Sequence, residues 1–507
     1  MSPRPLSAGP ITEIPRPARR TPSRLGDLAL GRGAVHGADV EVTGITAASD
    51  LVRAGDLFAA LPGRTAHGAA YAAAALQAGA VAVLTDAAGR AMLPADVPVL
   101  EVEQVRPVLG TVSAEVYGRP SRGLRILGVT GTSGKTTTTF LMRAGLQAAG
   151  RTSGLIGTVA TLIDDTEVKA RFTTPEAPEF QSLLAVMREQ GVTDVAMEVS
   201  SHALRMGRVD GIGFDVAAFT NLSEDHLDFH TDMEDYFAAK ASLFERTDRP
   251  VVVIDDEWGV RLASGMTAPT TVSTAGAAAT WRASKIVERP DGSTAFVVHG
   301  PDVELVTGCA IPGAYNVANA LLALAVLHAD GVPVHVAAPA VATASVPGRM
   351  ERIDAGQPFL AVVDYSHKPA AVDGALRALR PLTAKKLIIV LGCGGDRDRG
   401  KRPHMGEIAA RGADLVIVTD DNPRSEDAAA IRRAMLDGAL AVPAAERGEV
   451  VEVGDRVEAI ATGVAAAGEG DTLLVAGKGH ESGQEIDGVV YPFDDRIVLR
   501  DQLAAEA

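Results

Sequence analysis

Cysteine is nearly missing from this chain: of 507 residues only Cys309 and Cys393 are cysteines, and they lie far apart in sequence. That pattern excludes a disulfide framework and a cysteine metal knuckle, and it suits a reducing compartment. Long apolar runs are also lacking. No stretch reaches 18 uninterrupted apolar residues, so no segment is expected to enter a membrane. The N-terminus has no apolar core of the kind a secretion signal needs; instead residues 1–25 carry Pro3, Pro5, Pro10, Pro15, Pro17, Pro22 and five arginines. We read those 25 residues as a disordered tail and expect a cytoplasmic protein. Positive charge is in deficit as well, with a formal net charge of −16. Wholesale nucleic-acid binding is therefore not expected, although local basic loops can still hold a phosphorylated small molecule.

What is present is the composition of an α/β enzyme. Apolar residues make up 47% and charged residues 22%, in short apolar runs separated by turn residues, as alternating strands and helices produce. The length exceeds one ordinary core and suggests about three domains. There is no internal repeat.

The most informative stretch is Ile126-Leu-Gly-Val-Thr-Gly-Thr-Ser-Gly-Lys-Thr-Thr-Thr-Thr139, an apolar strand running into a glycine-hinged loop and a helix start. Gly131 and Gly134 let successive backbone N–H groups turn inward, Lys135 supplies a mobile cation, and Thr136 offers a hydroxyl to Mg²⁺. The expected ligand is a nucleoside triphosphate. A glycine loop before a helix can be mere punctuation. Here the preceding strand and the helical run Thr139–Gly150, closed by Gly150, supply the context a phosphate cradle requires.

Around this loop we divide the chain into residues 26–121, a small α/β module; 122–346, a central parallel-sheet domain; and 347–507. A second central strand, Asp194–Val199, ends in Ser200-Ser201-His202. The last segment contains the buried-strand candidates Phe359–Val363, Lys386–Leu391, Asp414–Thr419 and Thr472–Ala476, each followed by a polar or glycine-containing loop. Strand, ligand loop, helix is the doubly wound pattern, so this segment should be Rossmann-like.

Several ordered motifs resemble the Mur ligase family: Thr130–Thr138, Met197-Glu-Val-Ser-Ser-His-Ala203, Thr220-Asn-Leu-Ser-Glu-Asp-His-Leu-Asp228, Tyr236–Phe244, Gly313–Asn319, Pro347-Gly-Arg-Met-Glu351 and Asp364-Tyr-Ser-His-Lys-Pro369. Within that family, Gly392–Arg397, Asp421-Asn-Pro-Arg424 and Gly477-Lys-Gly-His-Glu481 look like the members that add meso-diaminopimelate in peptidoglycan synthesis. The resemblance implies an ATP-dependent ligase acting on UDP-N-acetylmuramoyl-L-alanyl-D-glutamate. It implies ATP contacts from Gly131, Thr132, Ser133, Gly134, Lys135, Thr136, Thr137, Asn316, Asn319, Arg349 and Asp364, with Mg²⁺ held by Thr136, Glu198 and His226.

Lys240 matches the lysine that CO₂ converts to a carbamate, replacing a cation that would repel Mg²⁺ with an anion that binds it. On pattern alone it reads as a surface lysine, with Tyr236 and Phe244 one turn away on either side. Glu198 alone reads as a partnered strand-end carboxylate, and His226 as a capping or packed histidine. Ser49, Arg64, Thr65 and Ala66 match the uridine side of the UDP substrate, while Thr173, Thr174, Ser200 and Arg208 match its muramoyl-peptide side. The diaminopimelate set is Arg397, Asp421, Asn422, Pro423, Arg424, Gly477 and Glu481. Arg424 is the candidate for the far carboxylate that lysine lacks, because a guanidinium can grip a carboxylate with two parallel bonds. We expect a monomer. The competing readings are a lysine-adding homologue, a folylpolyglutamate synthetase-like ligase, and a nucleotide switch that hydrolyses ATP without ligating anything.

Overall fold

The computed structural model describes residues 15–63, 65–168, 175–227, 229–289 and 292–506. The chain clusters into two compact units: Met1–Arg282 with Gly300–Val303 and Leu321–Ala340, and Ala283–His299 with Glu304–Ala320 and Val341–Ala507.

The first unit contains a two-stranded ribbon, a five-stranded sheet and most of a large central sheet. The five-stranded sheet has the order Gly33–His36, Val99–Val102, Ala82–Thr85, Asp56–Ala59, Gly44–Thr46; the last four are parallel and the first is antiparallel to its neighbour. Alanine-rich turns explain the close packing here, since Ala69, Ala72 and Ala75 are buried against Phe58 and Val83.

One expectation fails in this region. Within the tail read through residue 25, residues 15–25 are ordered, while residues 1–14 lie outside the described residues. Arg16 makes two bonds to the Asp56 carboxylate at 2.7 and 2.9 Å, and the Ala18 and Arg19 amides donate to Glu189 at 2.8 and 2.9 Å. Ser23–Arg24 pairs antiparallel with Glu41–Val42, and Leu25 is fully buried. The prolines mislead because they favour extended backbone, and a strap held by its side chains and free amides needs extended backbone.

The central sheet is built around the strand Arg125–Thr130, whose Ile126, Leu127 and Val129 are buried on both faces. It lies parallel between Asp194–Glu198 and Val216–Phe219, with Glu198 opposite Val129 and Ala217 opposite Gly128. Ser153–Ile156 adds in parallel beyond Asp194–Glu198, and Pro250–Val253 and Thr270–Ser273 beyond Val216–Phe219. This register brings the carboxyl ends of four neighbouring strands together: the phosphate loop leaves Arg125–Thr130, and Glu198 ends Asp194–Glu198 beside it.

The second unit carries a six-stranded sheet in the order Glu351–Arg352, Leu360–Asp364, Thr472–Ala476, Leu387–Leu391, Leu415–Val418, Glu449–Glu452, parallel except at the first edge. Its central strands are continuously apolar and buried, as helix-covered parallel strands must be. This is the Rossmann-like arrangement expected from the sequence. Most residues of the strands Trp281–Glu288, Thr294–Gly300 and Val303–Cys309 also cluster with this unit, whereas the sequence reading places them in the middle segment. No helix among the described residues is long and apolar enough to cross a membrane.

Candidate active site

The phosphate loop follows Arg125–Thr130 and ends at the helix Lys135–Ala148. Gly131 (φ 146°) and Gly134 (φ 88°) both occupy backbone space that a side chain would strain, which is why the loop can reverse within four residues. Neighbouring strand ends hold it from the side. Asn221 accepts from the Ser133 amide at 3.0 Å and donates to the Ser133 carbonyl at 3.1 Å, while Thr220 donates to the same carbonyl at 2.7 Å. Lys135 folds back to donate to the Gly131 and Thr132 carbonyls, both at 2.9 Å. Ser133 is exposed, Thr132 half-buried, and Thr136 and Thr137 are buried in the first helical turn.

Glu198 is buried and receives the Thr136 hydroxyl at 2.9 Å and the Thr158 amide at 2.8 Å. A hydroxyl and a carboxylate this close, beside a phosphate loop, fit Mg²⁺, which takes few protein oxygens and fills its remaining positions with phosphate and water. Among the described residues, no group of three or more His, Cys, Asp or Glu side chains is placed to hold a metal ion.

Lys240 is the largest departure from pattern. The helix Met233–Ala241 buries it to 1% exposure, and its Nζ donates to the Gly131 carbonyl at 2.7 Å and lies 4.4 Å above the Tyr236 ring. Burial, and secondarily the Lys135 cation that shares that carbonyl, push its pKa well below the ordinary lysine value, with only Asp225 opposing. The Tyr236 hydroxyl in turn meets Thr132 at 3.2 Å.

His226 has a left-handed backbone (φ 55°), and its side chain is 41% exposed and lies 3.4 Å from Asp225. Its ring sits edge-on to His202 with centroids 4.9 Å apart. The structure thus gathers Lys135, Thr136, Glu198 and Lys240 around the loop and sets His226 in a histidine cluster at the next strand end. Thr158, Tyr236, Thr220 and Asn221 are supports the sequence reading did not assign. For Thr220 and Asn221 the signal was present, since they open the quoted Thr220–Asp228 motif.

Among the substrate candidates, Ser49 follows the strand Gly44–Thr46, and Thr65 and Ala66 are exposed in the loop after its parallel neighbour Asp56–Ala59. They therefore share one sheet edge. Ser200 caps the helix Ser201–Arg205 by accepting the Ala203 amide at 3.1 Å, and Arg208 is anchored on Glu176 at 2.7 Å. Arg64, Thr173 and Thr174 lie outside the described residues.

In the second unit, loops leaving Leu387–Leu391, Leu415–Val418 and Thr472–Ala476 bring most of the amino-acid set together. Asn422 donates to Glu481 at 2.9 Å and accepts from the buried Lys478 ammonium at 3.0 Å, which also lies 3.3 Å from Glu481. Arg424, at φ 52°, donates from Nε to Glu485 at 3.1 Å and from Nη1 to the Gly395 carbonyl at 2.7 Å. Gly477 has φ 116°, and a Cβ there would lie 2.7 Å from Asp421 Oδ2. The Pro423 carbonyl closes a turn by accepting the Glu426 amide at 3.1 Å. Arg397 stays exposed on the loop after Leu387–Leu391.

In the same unit, Asn316 and Asn319 share a helical face and are joined at 2.9 Å, and Asn316 also donates to the Pro312 carbonyl at 2.7 Å. Asp364 accepts the Met350 and Ser366 amides at 2.7 and 2.9 Å, so it fixes the turn beside Arg349. The Arg349 guanidinium stacks 4.4 Å over Tyr365, and its buried Nε has no hydrogen-bond partner among the described residues.

Comparison with known proteins agrees with this geometry. Residues 41–117 match the Mur ligase family catalytic domain, 129–327 the Mur ligase middle domain, and 348–479 the Mur ligase glutamate ligase domain. The chain belongs to the Mur ligase family. It is 54% identical, over 96% of its own length and 98% of the relative's, to the UDP-N-acetylmuramoyl-L-alanyl-D-glutamate--2,6-diaminopimelate ligase of Streptomyces avermitilis. A protein of the same name from Corynebacterium efficiens is 53% identical over 90% of this chain and 89% of that one. A solved structure of a ligase of that name is 31% identical and superposes with a TM-score of 0.68, covering 92% of this chain and 95% of that chain.

Proposed function

We infer that this chain is the ATP-dependent ligase that joins meso-2,6-diaminopimelate to the D-glutamate γ-carboxylate of UDP-N-acetylmuramoyl-L-alanyl-D-glutamate in peptidoglycan synthesis. The observation that carries this reading is near full-length identity above 50% to ligases of that name. Residue clusters suited to each part of the chemistry support it.

A carboxylate and an ammonium do not condense in water, so the γ-carboxylate attacks the γ-phosphorus of ATP, ADP leaves, and an acyl phosphate forms. The loop amides of Gly131–Gly134 and the Lys135 ammonium stabilise the crowded phosphate oxygens, a case where positioning and electrostatics supply most of the acceleration. For this, Lys135 exchanges its carbonyl partners within the loop for phosphate. Thr136 and Glu198 would hold Mg²⁺, which supplies charge neutralisation between phosphates. The amine of the diamino acid, once deprotonated, attacks the acyl carbon, and the tetrahedral intermediate expels phosphate.

We propose that Lys240 works as a carbamate. Its desolvated amine is readily neutral, so it can add to CO₂ and release one proton, and the resulting anion relieves the repulsion from Lys135. His226 is proposed as a further metal contact, and Asn316, Asn319, Arg349 and Asp364 as nucleotide contacts. Ser49, Arg64, Thr65 and Ala66 would serve the uridine end, and Thr173, Thr174, Ser200 and Arg208 the muramoyl peptide. In the amino-acid pocket, Arg424 takes the far carboxylate and Glu481 an ammonium, oriented by Asn422, Asp421, Pro423, Gly477 and Arg397. We propose the three-way division 26–121, 122–346 and 347–507 as the functional one.

Phosphate release tests the class of reaction. Release should require ATP, the UDP-linked dipeptide and the diamino acid together, and release with ATP alone would show a nucleotide switch instead.

A further inference from the structure

Just beyond Glu481 the chain forms a two-stranded hairpin, Gly483–Ile486 with Val489–Pro492, paired Ile486 to Val489 across Asp487-Gly488. Both turn residues have positive φ (49° and 77°), as a tight two-residue hairpin turn requires. Ile486, Val489, Val490 and Tyr491 are exposed, so burial of its own side chains does not explain where the hairpin sits. Polar contacts do. The Glu485 amide donates to Asn422 Oδ1 at 3.0 Å, Gln484 donates to the Asp421 carbonyl at 2.7 Å, the Arg424 amide donates to the Glu485 carbonyl at 3.0 Å, and the Asp487 amide donates to the Arg424 carbonyl at 2.8 Å. Four contacts thus lock the hairpin onto Asp421–Arg424, and two of them flank Arg424, whose left-handed backbone needs external support.

The hairpin also reaches the Arg424 side chain. Glu485 accepts from Nε at 3.1 Å, and the Gly395 carbonyl accepts from Nη1 at 2.7 Å. A guanidinium carries five N–H hydrogens in one plane. Two are committed to these acceptors, and three remain, including both on Nη2, which makes no hydrogen bond among the described residues. A guanidinium fixed at two of its nitrogens presents the rest in one orientation.

We propose that Glu485 is a positioning residue for amino-acid selection: it holds Arg424 so that the unused edge of the guanidinium meets the far carboxylate of the diamino acid. The proposal rests on the reading that Arg424 receives that carboxylate. Glu485 does not touch the substrate. Its anion lowers the net positive charge of the pocket, but it is 38% exposed, so water screens that cost. The ordering of a long side chain before binding outweighs it.

The test is steady-state kinetics on the full-length enzyme for Glu485→Ala, Glu485→Gln and Arg424→Ala, varying diaminopimelate and the UDP-linked dipeptide separately. Glu485→Ala should raise the diaminopimelate KM by roughly three- to tenfold, the scale of one side chain's ordering cost. It should leave kcat and the KM of the UDP-linked substrate within about twofold, and narrow the preference for diaminopimelate over lysine by a similar factor. Glu485→Gln, which keeps a neutral acceptor, should recover part of the loss. A diaminopimelate KM that is unchanged or lower in Glu485→Ala overturns the proposal, and a lower one would mean that Glu485 competes with substrate for the arginine. If Arg424→Ala raises that KM while Glu485→Ala does not, only the role of Glu485 falls. If Arg424→Ala also leaves it unmoved, the reading of Arg424 falls too.

Discussion

Removing Asp495 should selectively destabilise the second unit. Asp495 and Arg456 are both 0% exposed and meet through two parallel bonds at 2.8 Å, Nε to Oδ1 and Nη2 to Oδ2. The same guanidinium donates to the Ala476 carbonyl at 2.9 Å and to the Asp420 carbonyl at 3.2 Å, one residue before Gly477 and Asp421 of the proposed amino-acid pocket. In Asp495→Ala a fully desolvated cation loses its counterion, a change that costs about 3–5 kcal/mol. With a urea m value of about 2 kcal/mol/M, the midpoint of that unit should fall by about 2 M. Both tryptophans, Trp258 and Trp281, belong to the first unit, so tryptophan fluorescence follows that unit while far-ultraviolet circular dichroism follows both. The dichroism curve should split, its early phase shifted and the fluorescence midpoint nearly unmoved. Arg456→Met combined with Asp495→Leu should recover most of the loss, because an apolar pair can replace a buried ion pair without leaving a charge behind. An unshifted dichroism curve, or a double variant no better than the single one, would refute this reasoning.

Three further outcomes are expected. Lys240→Ala should lower kcat by about 10²–10³-fold in steady-state assays, as loss of one preorganised electrostatic group does. His367 provides a pH dependence: burial, chiefly, drives its pKa down to about 4 from 6.5. The unfolded chain takes up that proton near pH 6.5 and the folded protein only near 4, so stability rises with pH across this window and is lost as pH falls through it. Partial exposure reduces the effect to roughly 2 kcal/mol, and His367→Gln should flatten the urea midpoint between pH 4.5 and 7 relative to the parent. Finally, Arg16→Ala should destabilise the first unit by about 3 kcal/mol by stranding the buried Asp56 carboxylate. A melting temperature equal to the parent's would show that the strap is dispensable.

The parts of this architecture readable from sequence are those set by local spacing. The loop Gly131-x-x-Gly134-Lys135-Thr136 is one, because its glycines, cation and hydroxyl act within one turn of chain. The strands of the second unit are another, since parallel strands covered on both faces must be continuously apolar. Lys240 was not readable from pattern. Its hydrogen-bond partner is the Gly131 carbonyl, 109 residues earlier, and helical periodicity around Tyr236 and Phe244 carries no trace of that contact; only the family resemblance singled it out. The strap at Arg16 was hidden for a similar reason, since its partner Asp56 lies 40 residues on. The 483–492 hairpin was missed although Asp487-Gly488 announces it, because its flanking strands are exposed and lack the alternating apolar signal that marks a buried sheet.

The most direct test of the central claim offers diaminopimelate, lysine and ornithine side by side to the purified enzyme with ATP, magnesium, bicarbonate and the UDP-linked dipeptide. The account predicts a UDP-linked tripeptide containing diaminopimelate, one ADP and one phosphate per bond formed, and a preference over lysine of about two orders of magnitude or more, since lysine leaves Arg424 without its carboxylate. Failure to couple any diamino acid, or preferential coupling of lysine, would contradict it.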